Sequence, residues 1–190
     1  SPYTVALAEH FSLVLMDARG HGRSAKTTDP DAYAMTNRVA DVCAVLDAAE
    51  VPAVHYVGYS MGGQVGFGMA RYARERLMSL TVGGMHPYPP DADAAAQRGG
   101  FAESLASGLP EHVERMEARL GGPLPEPYRA ELLANDGAAL AAVSGATRDG
   151  ILHEGLSDLN LPALLYCGSN DGFYAGAERA AGEIPGHSSS

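Results

Sequence analysis

Short apolar runs alternate with amphipathic segments along the chain, and this alternation restricts the possible fold more than any other feature. The apolar runs lie at residues 11–16, 53–57, 79–83 and 161–167, and each ends at a glycine or is followed by a glycine or an aspartate. Segments with three- and four-residue apolar spacing lie between them and predict helices. Strands that alternate with helices form parallel sheets with crossover connections. We therefore predict an α/β fold with a mostly parallel sheet.

One region between the predicted strands has the character of an insertion. Helices are predicted from Thr36 or Asn37, either of which would serve as N-cap, to about residue 50, and over about 61–76 and 174–183. Residues 86–157 lack a strong strand pattern and contain amphipathic stretches at 111–120 and 127–134. We expect residues 1–85 and 158–190 to form one core, and residues 86–157 to form a helical lid.

Composition excludes several classes of function. Twenty-three acidic residues against thirteen basic ones give a net charge of −10, which repels nucleic acids and anionic lipids. No apolar run reaches the roughly 18 residues of a membrane helix. Cys43 and Cys167 are too few for a disulfide framework or a spaced metal site. We expect a cytoplasmic protein with a small-molecule substrate and with no nucleic-acid partner, membrane partner or metal.

The segment Gly58-Tyr59-Ser60-Met61-Gly62 lies between a predicted strand and a predicted helix and matches G-x-S-x-G. Its glycines permit a turn that strains the Ser60 backbone and brings elements close together, where a Cβ would clash. We predict Ser60 at the carboxyl end of the strand in a sparsely populated backbone region. The N–H of Met61 would point to a developing oxyanion. The alternative is a glycine-rich turn with a solvent-exposed serine.

With this motif, two further segments resemble the α/β-hydrolase fold superfamily, of the ester hydrolase, haloperoxidase and lactonase type. Residues 17–24, Asp-Ala-Arg-Gly-His-Gly-Arg-Ser, are similar to the family's loop before the nucleophile. Residues 164–172 are similar to the strand and loop that present the catalytic acid. The resemblance covers residues 5–84 and 158–186, and leaves the lid unmatched.

The resemblance implies a serine hydrolase that acts on a small or medium acyl substrate, such as a carboxylic ester or lactone, through an acyl-enzyme and without any cofactor. Ser60 would be the nucleophile, Asp171 the acid that orients a histidine, and Met61 an oxyanion-hole donor. We expect Tyr59, His86 and Tyr88 to line the pocket. Asp171 has an alternative role as a turn-stabilising residue ahead of Gly172.

Two parts of the family pattern are not found in the sequence. A strand before residue 11 would supply a second oxyanion donor, and a further strand would precede the catalytic histidine. His187 follows the predicted helix 174–183 too closely for a returning strand, and His86 and His153 are more simply pocket-wall or surface residues. We therefore expect a chain truncated at both ends, with its base outside the 190 residues. The alternative is an inactive fragment or a non-catalytic binding homologue.

The missing strand has a structural consequence. In the family it pairs between the strands that correspond to residues 11–16 and 53–57. Its absence predicts either a gap of about 9–10 Å between those two segments, because neighbouring strands lie ~4.8 Å apart, or their direct pairing. We expect the gap.

Overall fold

The computed structural model describes residues 2–146, 151–185 and 188–189. These residues include three short 3₁₀ turns, at Pro30–Tyr33, Arg74–Arg76 and Leu156–Asp158. The helices within these ranges are α1 (Pro2–Ala8), α2 (Met35–Ala48), α3 (Met61–Tyr72), α4 (Ala92–Ala106), α5 (Leu109–Leu120), α6 (Glu126–Leu133), α7 (Gly137–Gly145) and α8 (Tyr174–Glu183). The strands are β1 (Val54–Tyr59), β2 (Leu77–Gly83), β3 (Ala163–Tyr166) and β4 (Ser188–Ser189).

The four strands form one parallel sheet in the order β1-β2-β3-β4. Its register places Tyr59, Gly83 and Tyr166 in one row, so β1, β2 and β3 end together. Loops that follow these strands therefore meet at the same edge of the sheet. The predicted fold class, a parallel sheet with crossover helices, is confirmed.

The core lies on one face of the sheet. Helix α3 packs on β1 and β2, α2 packs on α3, and α8 packs on β3. Phe67 of α3 and Leu80 of β2 are fully buried in this layer, with Val82 and Leu165 beside them. Burial of such side chains is the main favourable contribution to folding. On the opposite face, side chains such as Val57 and Tyr59 are exposed, so the described residues cover the sheet on one side.

Residues 11–16 were expected to form a strand, and that expectation is wrong within the described structure. No strand is assigned there, because a strand is defined by backbone hydrogen bonds to a neighbour and β1 forms none with this segment. Phe11 touches β1 only through an edge-on contact of its ring with His55, with centroids 6.1 Å apart. Direct pairing of the two segments is thereby excluded, and the expected width of the gap stays a prediction.

Two predicted helix boundaries also differ in the structure. Helix α2 begins at Met35, and its N-cap Ala34 makes no side-chain capping bond, so neither Thr36 nor Asn37 caps it. Met35 is buried against α3, where a Cβ on Gly68 would come within 2.6 Å of its Sδ. Helix α3 ends at Tyr72, not at residue 76, because Ala73 leaves helical geometry at φ −147°. Packing against α3 therefore accounts for the start of α2, and the Ala73 backbone marks the end of α3.

The region 86–157 is helical, as its amphipathic pattern predicts. It contains α4, α5, α6 and α7, and α4 packs closely on α7. Helix α4 had no strong signal in the sequence. In the part of the chain that the structure describes, no helix combines the length and apolar character needed to cross a membrane.

Candidate active site

Ser60 occupies a strained turn between β1 and α3. Strand β1 ends at Tyr59, α3 begins at Met61, and Ser60 between them has φ 52° and ψ −113°. A non-glycine residue in this region costs on the order of 1–3 kcal/mol and persists only where its surroundings hold it. The Ser60 N–H donates to the carbonyl of Gly83 at 2.8 Å, and its carbonyl accepts from the N–H of Gln64 at 3.0 Å. The predicted position and strain of Ser60 are confirmed.

The glycines of the motif do not share one role. A Cβ on Gly58 would lie 2.3 Å from the Gly62 carbonyl oxygen, so only glycine fits where β1 meets the first turn of α3. Nothing lies within 4 Å of a Cβ on Gly62, which corrects the expectation that both flanking glycines avoid a clash. The second close approach falls at Gly63, whose Cβ would meet Val82 at 2.8 Å.

Met61 is half-buried at the first position of α3. The first N–H groups of a helix have no intrahelical acceptor, and the helix dipole places partial positive charge there. Met61 is thus the first helical residue after Ser60, and its role as an oxyanion-hole donor stays a prediction.

Ser60 and Met61 open into a cavity of about 180 Å³. Its walls come from α3, from the 3₁₀ turn at Pro30–Tyr33 and α2, and from α4 and α7. Most of the lining is apolar or aromatic, with Tyr33, Met35, Met85, Phe101, Val143, Ala146 and Phe173. The polar lining comprises Arg38, Gln64, Arg98 and Ser144 besides Ser60 itself. A mostly apolar cavity with a few polar groups is the usual form of a small-molecule site.

Asp171 lies after β3, at the sheet edge that also carries Ser60 after β1. Its Oδ1 accepts the N–H of Phe173 at 3.0 Å, and its backbone carbonyl accepts the N–H of Tyr174 at 3.0 Å. These bonds shape the turn into α8 and place Phe173 in the cavity wall. The turn-stabilising role considered for Asp171 is therefore present.

The Asp171 carboxylate also affects its neighbour Cys167. Burial, and then the negative charge and hydrogen bonding of Asp171, raise the pKa of the Cys167 thiol. The thiol is thus held in its neutral form and is a poor nucleophile.

The three residues expected to line the pocket lie elsewhere. Tyr59 is 64% exposed and stacks on Tyr166 with centroids 6.4 Å apart, because side chains alternate along β1 and Tyr59 points to the uncovered face of the sheet. His86 packs edge-on against Phe173 at 5.4 Å, and Tyr88 lies 5.7 Å beyond His86. Their connection to the cavity is through Phe173, which forms part of its wall.

Helix α8 covers this aromatic group. A Cβ on Gly176 would lie 2.2 Å from Cδ2 of His86, and the guanidinium of Arg179 lies 4.0 Å from the centre of the Tyr88 ring. Burial raises the pKa of Tyr88 to about 12. His153 is 5.4 Å from Tyr88, with its Nδ1 buried and unbonded among the described residues. His187 lies outside the described residues. The expectation that no returning strand fits after helix 174–183 is wrong, because β4 follows at Ser188–Ser189 and pairs in parallel with β3.

The loop at residues 17–24 has a structural role. Gly20 and Gly22 have φ of 86° and 51°, and the Asp17 carboxylate accepts the N–H of Arg23 at 2.9 Å. Arg19 extends from the loop to α2, where its guanidinium forms two bonds of 2.5 Å to the carboxylate of Asp41. The loop is thereby fixed beside the cavity.

Sequence reasoning missed the two arginines of the cavity. Arg38 and Arg98 come from α2 and α4, and nothing in their local sequence distinguishes them from solvent-facing arginines. Within the residues the structure describes, no three histidine, cysteine, aspartate or glutamate side chains are grouped so that they could hold a metal ion.

Comparison with known proteins agrees with this geometry. A family model described as the alpha/beta hydrolase fold matches residues 4–106, more than half of the chain. The protein belongs to the α/β-hydrolase family.

Two individual relatives are named as a hydrolase and as an esterase. The chain is 38% identical over 81 residues to a putative carbamate hydrolase, RutD, of Azorhizobium caulinodans, covering 43% of this chain and 30% of that protein. It is 40% identical over 111 residues to the rhodomycin D methylesterase DauP of Streptomyces sp. strain C5, covering 56% of this chain and 36% of the relative. The match thus spans about a third of each relative's length.

A solved structure resembles the whole chain. A hydrolase from Pseudomonas aeruginosa PA01 superposes with a TM-score of 0.83 at 27% identity, covering all of this chain and 74% of that one. The family fold therefore extends through both the sheet and the helical region between β2 and β3.

Proposed function

We propose that the protein is a serine hydrolase in which Ser60 attacks the carbonyl of a small or medium acyl substrate, an ester or a lactone-like compound. The observation that carries this proposal is the strained backbone of Ser60 beside the cavity. A serine held at φ 52° between a strand and a helix is costly, and such strain is concentrated at functional sites. The names of the relatives, which include a methylesterase, support the same reaction type.

In the proposed reaction, the base is the histidine that follows the acid along the chain in the family pattern, a role we assign to none of the described histidines. It takes the proton of Ser60 as the Ser60 Oγ bonds to the substrate carbonyl carbon. The negative charge on the carbonyl oxygen is stabilised by the N–H of Met61 at the start of α3. Collapse of the tetrahedral intermediate releases the alcohol, which receives the proton from the base, and leaves an acyl group on Ser60. Water then repeats the sequence and releases the acid.

Asp171 is proposed to orient the base and to stabilise its positive charge. Asp171 follows β3 and Ser60 follows β1, so the two residues lie at the same edge of the parallel sheet with β2 between their strands. The bond from the Phe173 N–H to Oδ1 holds the side chain of Asp171 in place. This is the role that the resemblance implies for Asp171.

The helices α4 to α7 are proposed to act as the lid that decides which acyl groups fit. Arg98 and Phe101 of α4, and Val143 and Ser144 of α7, form the side of the cavity that faces away from the sheet. A cavity of about 150 Å³ holds a molecule as large as benzene, so about 180 Å³ suits an acyl group of similar size.

Covalent labelling tests the nucleophile. We expect a fluorophosphonate probe to modify the protein at Ser60, as located by peptide mass spectrometry, and Ser60→Ala to abolish the label. Ser144→Ala is the matched control, since Ser144 lines the same cavity without the strained turn. No labelling of the wild-type chain would favour the non-catalytic homologue instead, and labelling at Ser144 would reject Ser60.

A further inference from the structure

The cavity beside Ser60 contains a concentration of positive charge. Among the described residues that line it, the charged side chains are Arg38 and Arg98, and none is acidic. The protein as a whole has a net charge of −10. A positively charged cavity in an acidic protein selects for an anionic ligand.

Arg38 is fixed in place but not neutralised. Its Nε donates to the Tyr33 carbonyl at 2.7 Å, and Nη2 donates to the Val143 carbonyl at 3.2 Å. Arg19, by comparison, is held by both oxygens of Asp41. No carboxylate among the described side chains forms an ion pair with Arg38, so its charge remains available to the cavity.

The hydrogen-bonding groups of Arg98 are less well satisfied than those of Arg38. Its Nε is buried and has no hydrogen-bond partner among the described residues. Burial lowers the pKa of both Arg38 and Arg98, and the nearby charges of Arg19 and Arg98 add to the effect at Arg38. A buried charged donor without a partner is unfavourable, and a bound anion removes that cost.

We propose that Arg98 and Arg38 bind a free carboxylate carried by the acyl part of the substrate, so that the preferred substrates are half-esters or related acyl compounds of short dicarboxylic acids. The inference rests on the proposed function, because it places the scissile carbonyl at Ser60. A carboxylate fits the planar guanidinium fork with two hydrogen bonds. The cavity volume of about 180 Å³ suits an acyl chain of about four to six carbons.

Direct binding tests the anion site without relying on catalysis. We expect glutarate to bind the full chain in isothermal titration calorimetry and the uncharged glutaramide not to bind. Arg98→Gln should weaken glutarate binding about tenfold or more, as expected for loss of a hydrogen bond to a charged group. Arg119→Gln, an exposed arginine of α5 outside this cavity, should leave binding unchanged.

Protection of Ser60 links the anion site to the nucleophile. We expect glutarate to slow fluorophosphonate labelling of Ser60 in the wild type and in Arg119→Gln, but not in Arg98→Gln at the same concentration. Labelling of Ser60 without glutarate binding or protection would overturn this inference and leave the proposed function standing. Loss of binding in Arg119→Gln instead of Arg98→Gln would place the anion elsewhere and also overturn it.

The remaining outcome separates the two proposals. Glutarate binding that depends on Arg98, in a protein whose Ser60 cannot be labelled, would reject the hydrolase and with it the assignment of the anion as substrate. Circular dichroism of each variant checks that the fold is retained.

Discussion

Replacement of single glycines tests whether the turn at Ser60 depends on a close backbone approach. In Gly58→Ala the new Cβ would lie 2.3 Å from the Gly62 carbonyl oxygen and 2.8 Å from the Gly63 nitrogen. Both are backbone atoms of α3, so no side chain can rotate away. The start of α3 must move by roughly 1 Å to restore an ordinary contact, and overpacking of this kind costs about 1–3 kcal/mol.

The same motif provides its own control. A Cβ on Gly62 meets nothing within 4 Å, and Gly62 lies inside α3 without a positive φ. Gly62→Ala should therefore stabilise the protein by about 0.4–1 kcal/mol, because alanine restricts the unfolded chain. The two substitutions add the same methyl group four residues apart and are expected to have opposite effects.

Urea denaturation followed by far-UV circular dichroism measures the difference. With a slope of about 2 kcal/mol per molar urea, Gly58→Ala should lower the midpoint by about 0.5–1.5 M. A displacement of about 1 Å at Ser60 should also slow fluorophosphonate labelling by about 100-fold. Equal destabilisation by both substitutions, or normal labelling in a folded Gly58→Ala, would refute the argument that backbone contact at Gly58 holds the nucleophile in place.

Three further predictions address the site chemistry. Asp171→Asn keeps an acceptor for the Phe173 N–H and should therefore retain the fold. It should reduce turnover, measured by steady-state kinetics, by about 10³–10⁴-fold. A loss below tenfold would remove Asp171 from the mechanism. Burial raises the pKa of Cys167 and Cys43, so iodoacetamide should react with both thiols more slowly than with a free thiol at pH 8, and faster as the pH rises. Asp171 contributes to the raised pKa of Cys167 but not to that of Cys43, so mass spectrometry should show that Asp171→Asn accelerates only the reaction of Cys167. Monomethyl glutarate should show a kcat/KM at least tenfold above that of dimethyl glutarate in a pH-stat assay, and Arg98→Gln should remove this preference. A preference for the diester would contradict a cationic site for the acyl group.

The sequence by itself determined the features that depend on neighbours along the chain. The tight turn at Ser60 follows from Gly58 and from the change of an apolar run into a helical pattern, both of which are local. The alternation of these patterns was enough to predict a parallel sheet, because crossover helices and parallel strands imply each other. The order of β1, β2 and β3 along the chain also brings Ser60 and Asp171 to one edge.

Only the tertiary structure decided what depends on partners distant in sequence. Residues 11–16 have a strand-like pattern, but a strand exists only where another backbone supplies hydrogen bonds, and β1 does not pair with this segment. The side chain of Tyr59 lies on the exposed face because the sheet is covered on its other side. Arg38 and Arg98 are sixty residues apart and meet in one cavity only after α2 and α4 pack around Ser60, so no local pattern reveals them. Local conformation is encoded by neighbouring residues, whereas a cavity is defined by surfaces that only the folded chain brings together.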